Sequence, residues 1–186
     1  MRTSISLARL AFGAALVPTT LASVATAQCG EVAELFPVPA PCCEAFGDAI
    51  AATETHVFVS GDSRTVHMFR TSDLLQLATY QSPGVDSSFG EALDANGSRM
   101  LAGAPDIGEV GTPYGGRAYL YDTQTFSLVD ELTPTGPMDQ LFYYGQSVAL
   151  HGDFAAVSGE EDVNDDRTGV VRLFDLSGSP TQVLRI

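Results

Sequence analysis

The sequence predicts an all-β fold built from repeated four-stranded antiparallel units. Three observations carry that prediction. An aromatic-glycine pair opens three segments of like pattern, at Phe46-Gly47, Phe89-Gly90 and Tyr144-Gly145. Each pair is followed, in the same order, by short runs rich in Val, Phe, Tyr, Leu and Ile, punctuated by Gly, Asp, Asn and Pro. No stretch after the leader keeps a helical period over three turns.

The leader comes first in the chain. Arg2 and Arg9 precede or flank the apolar run Leu10 to Val17, Pro18 ends it, and Ala25-Thr26-Ala27 supplies the small residues that a signal peptidase reads. Residues 1–27 are therefore expected to be a signal peptide cleaved before Gln28. The run is too short to span a hydrocarbon layer of about 30 Å. Gln28 before Cys29 does not suit lipid attachment either. The expected location is secreted, extracellular or at the cell surface, the periplasm included, where disulfides form.

Residues 28–45 read as a Cys/Pro-rich arm containing Cys29, Cys42 and Cys43. A bridge from Cys29 to either Cys42 or Cys43 would close a loop of about a dozen residues around the proline-rich stretch and leave one thiol over.

Three units follow, over residues 46–88, 89–143 and 144–186. Their first elements are Phe46 to Ala51, Phe89 to Asp94 and Tyr144 to Ala149. The second elements are His56 to Gly61, Arg99 to Pro105 and Phe154 to Gly159, and the third are Val66 to Phe69, Arg117 to Asp122 and Val170 to Asp175. A fourth strand fits at Leu75 to Tyr80, Phe126 to Leu132 and Gln182 to Ile186. Between the first and second elements, Asn96-Gly97 and Gly152-Asp153 tolerate the positive φ of a tight hairpin, so these strands should be antiparallel neighbours. Along the third element, Val66 and Met68 alternate with His67 and Phe69, the period of a sheet with two differing faces.

Four antiparallel strands in about 40 to 55 residues is the repeat length of a β-propeller blade. The units resemble the FG-GAP repeat family, the blades of integrin α-subunit heads and of many secreted bacterial proteins. The FG half rests on the three aromatic-glycine pairs, and Gly103-Ala104-Pro105 matches the GAP half literally. The other two units read Ser60-Gly61-Asp62 and Ser158-Gly159-Glu160 there. The chain has no Trp, which excludes the Trp-Asp repeat of the rival propeller class. The resemblance implies propeller-type blades. Three are fewer than the four to eight of a closed ring, so an incomplete or open ring is expected, a fragment of a longer propeller. Open blade edges and apolar blade faces would then invite self-association.

The family's blades often hold Ca²⁺ in a loop of alternating oxygen ligands. Asp162, Asn164 and Asp166 match its first, third and fifth positions, and these three are the candidate metal ligands. Arg167 stands where the turn glycine belongs, and Val170 where the closing carboxylate belongs. No other cofactor is implied.

Charge and the scarcity of catalytic groupings bound the function. Nine basic residues, all Arg, against 23 acidic ones give a net charge of −14, which repels phosphate backbones and anionic lipid. Gly61-Asp62-Ser63 resembles a GDS-type lipase block, but Arg64 replaces its Leu, and Gly145-Gln146-Ser147-Val148-Ala149 falls one residue short of a G-x-S-x-G elbow. His56, His67 and His151 are scattered, with no carboxylate pair to frame them. The expectation is a non-enzymatic binding, adhesion or structural module for an extracellular protein or glycan, with no nucleic acid and no membrane span. The alternative is a partial propeller of an extracellular hydrolase or lyase.

Overall fold

A computed structural model describes residues 34–37, 46–61, 64–84, 88–105, 115–135, 141–163 and 166–186. The leader and the cysteines Cys29, Cys42 and Cys43 lie outside the described residues. The chain divides into two compact units, Met1–Glu34 and Leu35–Ile186, and every described strand belongs to the second.

Among the described residues thirteen strands fall into three antiparallel sheets and no helix occurs. The first sheet is β1 (Ile50–Ala52), β2 (His56–Ser60), β3 (Thr65–Arg70) and β4 (Gln76–Gln81), hydrogen-bonded in that order. The second is β5 (Ala92–Asn96), β6 (Arg99–Ala104), β7 (Arg117–Asp122) and β8 (Ser127–Glu131). After β9 (Leu141–Phe142), the third runs β10 (Val148–His151), β11 (Phe154–Val163), β12 (Asp166–Asp175) and β13 (Thr181–Arg185), with β9 added beside β11. Apart from β9, each sheet is thus a meander of consecutive strands. That is what tight turns between short β-rich runs produce.

Packing follows from the two-residue period. In β6 and β7, Met100, Ala102, Tyr119 and Tyr121 join one apolar cluster with Phe58, Val66, Met68 and Tyr80 of the first sheet. The intervening Leu101, Ala118 and Leu120 join a second cluster with Leu150, Ala155, Val157, Val170 and Phe174 of the third. The second sheet is therefore sandwiched, and its central strands are buried on both faces. Ring contacts and hydrogen bonds reinforce the first junction. Tyr80 meets Tyr121 edge-on at 5.1 Å between centroids, and the Tyr121 hydroxyl donates to the Gln81 carbonyl at 2.9 Å.

The three aromatic-glycine pairs occupy equivalent places. The amides of Gly47, Gly90 and Gly145 donate to the carbonyls of Ser60, Gly103 and Ser158 at 2.9, 2.8 and 2.8 Å. Their φ angles are +99°, +91° and +96°. In the first two units the preceding aromatic lies over its own unit's third strand: Phe46 is 5.8 Å from the His67 ring, and Phe89 is 5.8 Å from the Tyr119 ring. Glycine answers two demands here, the positive φ and the approach of the preceding unit. A Cβ on Gly90 would meet Val66 Cγ2 at 2.9 Å, and one on Gly145 would run into the Arg117 carbonyl, whereas Gly47 has nothing within 4 Å.

Several expectations need adjustment. The aromatic-glycine pairs sit in turns ahead of β1, β5 and β10 and not within strands, because a glycine at positive φ breaks the extended ladder. The acidic stretch of the third unit shrinks to a hairpin tip, since β11 and β12 pair over ten residues each, from Phe154↔Asp175 to Val163↔Asp166. The short β9, which pairs Leu141 and Phe142 with Glu161 and Glu160, carries too little pattern in two residues to be read from sequence.

A cleft between hairpin turns

The first hairpins of the three units line up at one end of the sheets, and the two junctions between them differ. Between the second and third units the space is closed. The guanidinium of Arg99, the first residue of β6, donates to Gly152 O at 3.3 Å, Asp153 Oδ1 at 3.1 Å and Leu176 O at 3.2 Å. Asp94 Oδ2 accepts from Leu150 N at 2.7 Å, and Asn96 Oδ1 accepts from Gly152 N at 3.3 Å.

Between the first and second units the same space is open. His56 opens β2 where Arg99 opens β6, and Ala51, opposite Phe58, stands where Asp94 stands opposite Leu101. These shorter side chains leave a cleft of about 800 Å³, walled by Ala52–His56 on one side and by Ala95–Ser98 with Thr123 and Gln124 on the other.

Local hydrogen bonds shape both walls. Thr53 Oγ1 accepts from the His56 amide at 3.1 Å, and the Thr53 amide donates to His56 O at 2.8 Å, holding the turn tight. Thr55 Oγ1 and His56 Nδ1 lie 2.9 Å apart. Across the cleft, the Thr123 amide donates to Ser98 O at 2.8 Å. The lining offers hydroxyls (Thr53, Thr55, Ser98, Thr123), amides (Asn96, Gln124), the His56 ring and one carboxylate, Glu54. Such a set suits multiple neutral hydrogen bonds. Glycoside hydrolysis needs two carboxylates flanking the bond, and among the described lining residues there is one, Glu54.

A second group of polar side chains lies at the junction of the second and third sheets. Arg117 pairs with Glu131 at 2.6 Å, and Glu161 accepts from Arg172 at 3.0 Å and also from Arg185. The Arg185 hydrogen bond, with Arg172 beside it, holds the Glu161 carboxyl below the usual carboxylate range. Burial pushes the Tyr144 hydroxyl well above the usual phenol range. A phenol so raised stays protonated at neutral pH, and the carboxylates are neutralised by arginine. These ion pairs therefore tie neighbouring strands within each sheet, β7 to β8 and β11 to β12 and β13, and leave the group without a free base or nucleophile.

Two of the three candidate metal ligands, Asp162 and Asp166, are described, and they do not share a face. Asn164 lies outside the described residues. Asp162 pairs with Arg167 and Asp166 with Val163, so the ladder sends the two aspartates to opposite faces. Among the described residues no group of three or more His, Cys, Asp and Glu is gathered as a metal site requires. Asp62 and Ser63 also fall outside the described residues, and Ser147 lies in the turn ahead of β10 with its amide donating to Ser158 Oγ at 3.0 Å. Sequence reasoning missed the cleft. Its signal was present, as the contrast of Ala51 and His56 with Asp94 and Arg99 at matched positions, but its meaning depends on knowing that the hairpins adjoin.

No helix among the described residues is long and apolar enough to cross a membrane. No family model matches the chain, and no curated protein matches it. Among solved structures it is similar to a computationally designed protein, Ika8, at 10% identity and a TM-score of 0.42, over 74% of this chain and 48% of that one. The chain thus spans about half the length of that protein. A likeness so faint bears on neither site nor function.

Proposed function

We propose that this chain is an exported FG-GAP-type repeat protein whose sheets are propeller-type blades, and that it acts as a binding or adhesion module. The observation that carries the reading is the threefold identity of the aromatic-glycine turns in hydrogen bonding and φ. Turns so alike argue for one duplicated module, not three chance hairpins. The ligand proposed for the cleft is a neutral, hydroxyl-rich extracellular glycan. Its walls offer hydroxyls and amides with one carboxylate, and the net charge of −14 rejects acidic sugars.

The test is binding to a panel of immobilised neutral and acidic oligosaccharides, with His56→Arg as the cleft-filling variant. That substitution places in the first junction the side chain that closes the second. Capture of neutral sugars, lost in His56→Arg, supports the reading. Capture unaffected by His56→Arg, or no capture at all, removes the cleft as the site. Export is checked separately by the mass of the chain recovered from culture medium, expected to begin at Gln28.

A further inference from the structure

The two junctions between hairpins are built to one plan, so the closed one shows what the open one can hold. In the second unit Asn96 and Asp122 pair with Arg99, and in the third His151 and Asp175 pair with Phe154. The Thr123 amide donates to Ser98 O and the Leu176 amide to Asp153 O, both at 2.8 Å. Gly97, Ser98 and Thr123 therefore stand in the second unit where Gly152, Asp153 and Leu176 stand in the third. Those last three hold the Arg99 guanidinium, through Gly152 O, Asp153 Oδ1 and Leu176 O. At the first junction the matching groups, Gly97 O, the Ser98 side chain and Thr123 O, belong to residues that line the cleft. His56 takes the place of Arg99, and its Nδ1 lies 2.9 Å from Thr55 Oγ1 in its own turn. No described group donates to Gly97 O or Thr123 O.

We propose that this corner of the cleft is a subsite for a guanidinium group, carried by a small guanidine or by an arginine side chain of another protein. Backbone carbonyls only accept, and a guanidinium is a planar fork of donors with no acceptor, so the two match as they do at Arg99. Ser98 supplies a hydroxyl where Asp153 supplies a carboxylate, and Glu54 on the facing wall restores a negative charge to the lining. No Arg stands among the described lining residues, and the net charge of −14 draws cations toward the cleft. An ammonium is a compact point charge, and it fits a forked set of acceptors less well.

Exposure sets the strength. Three acceptors in a cleft open to water hold a lone guanidinium weakly, with a dissociation constant of about 1–10 mM that rises with salt. A guanidinium fills only a corner of the 800 Å³ cleft, as Arg99 fills only the corner of its own junction. The inference goes beyond the sugar reading and does not rest on it. It stands on the match between two junctions, so a panel on which no sugar is captured leaves it intact.

The test is a titration followed by nuclear magnetic resonance, on the chain as purified from expressing cells and without sugar. The probes are methylguanidinium, methylammonium and a capped glycine peptide with one central arginine, each from about 0.1 to 50 mM. The signals to follow are the amides of Ser98 and Gln124, which share peptide planes with Gly97 O and Thr123 O. The expected result is a saturable shift with methylguanidinium, about threefold or more weaker with methylammonium and weakened by salt. His56→Arg, which supplies the guanidinium from within, should abolish the shift, and Glu54→Gln should weaken it severalfold. Both variants are checked by far-ultraviolet spectrum, and the comparison of the two cations on the unaltered chain stands without them. A peptide that binds about tenfold tighter than methylguanidinium upholds the subsite with an arginine side chain as its occupant, and equal binding upholds it with a small guanidine. No saturable shift, equal response to the two cations, or a shift unchanged in folded His56→Arg overturns the proposal.

Discussion

Replacing the three turn glycines by alanine, one at a time, separates the role of the turn from the role of the junction. All three glycines hold φ between +91° and +99°, so each alanine incurs a similar backbone cost of about 1–2 kcal/mol. The space around them differs. At Gly47 a methyl group meets nothing within 4 Å, and that cost stands alone. At Gly90 it meets the Cγ2 methyl of Val66 at 2.9 Å, the end of a side chain that yields partly. At Gly145 it runs into the Arg117 carbonyl and lies 3.0 Å from Ala104 N, both backbone. Overpacking of that kind adds about 1–3 kcal/mol, because the third sheet must move away from the second or the turn must distort. The expected order of damage is Gly47→Ala, then Gly90→Ala, then Gly145→Ala. In thermal unfolding each kcal/mol is worth about 2–4 °C for a chain of this size. Urea midpoints at constant slope provide the independent check. Equal losses at Gly47 and Gly145 would refute the argument, since they would mean that the turn alone demands glycine.

Three further outcomes follow from the same packing. Arg99→Ala removes three hydrogen bonds across the second junction and is expected to cost about 1–2 kcal/mol in urea unfolding, with the second junction opened like the first. Glu161 is depressed in the folded state by Arg185 and Arg172, so the unfolded chain takes up its proton first as pH falls. Its contribution is fully present above about pH 4.3 and is lost as pH drops through the lower folded value; Glu161→Gln should flatten the stability-versus-pH curve in that acid window. Millimolar Ca²⁺ should leave the melting temperature unchanged, because Asp162 and Asp166 face opposite sides of the hairpin. Saturation a hundredfold above Kd would instead stabilise by about 2.7 kcal/mol, a rise readily seen by calorimetry, and would show that the hairpin tip rearranges.

Legibility from sequence varied with how local the cause was. The hairpins at Asn96-Gly97 and Gly152-Asp153 were readable, because a positive φ is a property of the residue itself, and both glycines adopt it at +59° and +55°. Strands β2, β3, β6 and β7 agree with the β-rich runs to within a residue or two at each end. The aromatic-glycine pairs were found, yet placed in strands, since the pattern shows recurrence without showing φ. The length of β11 and β12 was hidden by charge: Glu160 to Asp162 reads as a solvated loop until Arg167 is seen to pair with Glu160, and Arg172 and Arg185 with Glu161. The open cleft was invisible, being a difference between neighbours and not a property of any one segment.

The amino-acid order alone settles the repeating strand grammar, because chain stiffness, turn chemistry and a two-residue period act over a few neighbouring positions. Which copy of a repeated residue is buried, clamped or left facing water was decided only by tertiary contact. Met100 and Leu101 are equally apolar neighbours, yet they serve opposite faces of one sheet and two different cores. Packing partners far apart in the chain assign those fates, and no local pattern encodes which partner arrives.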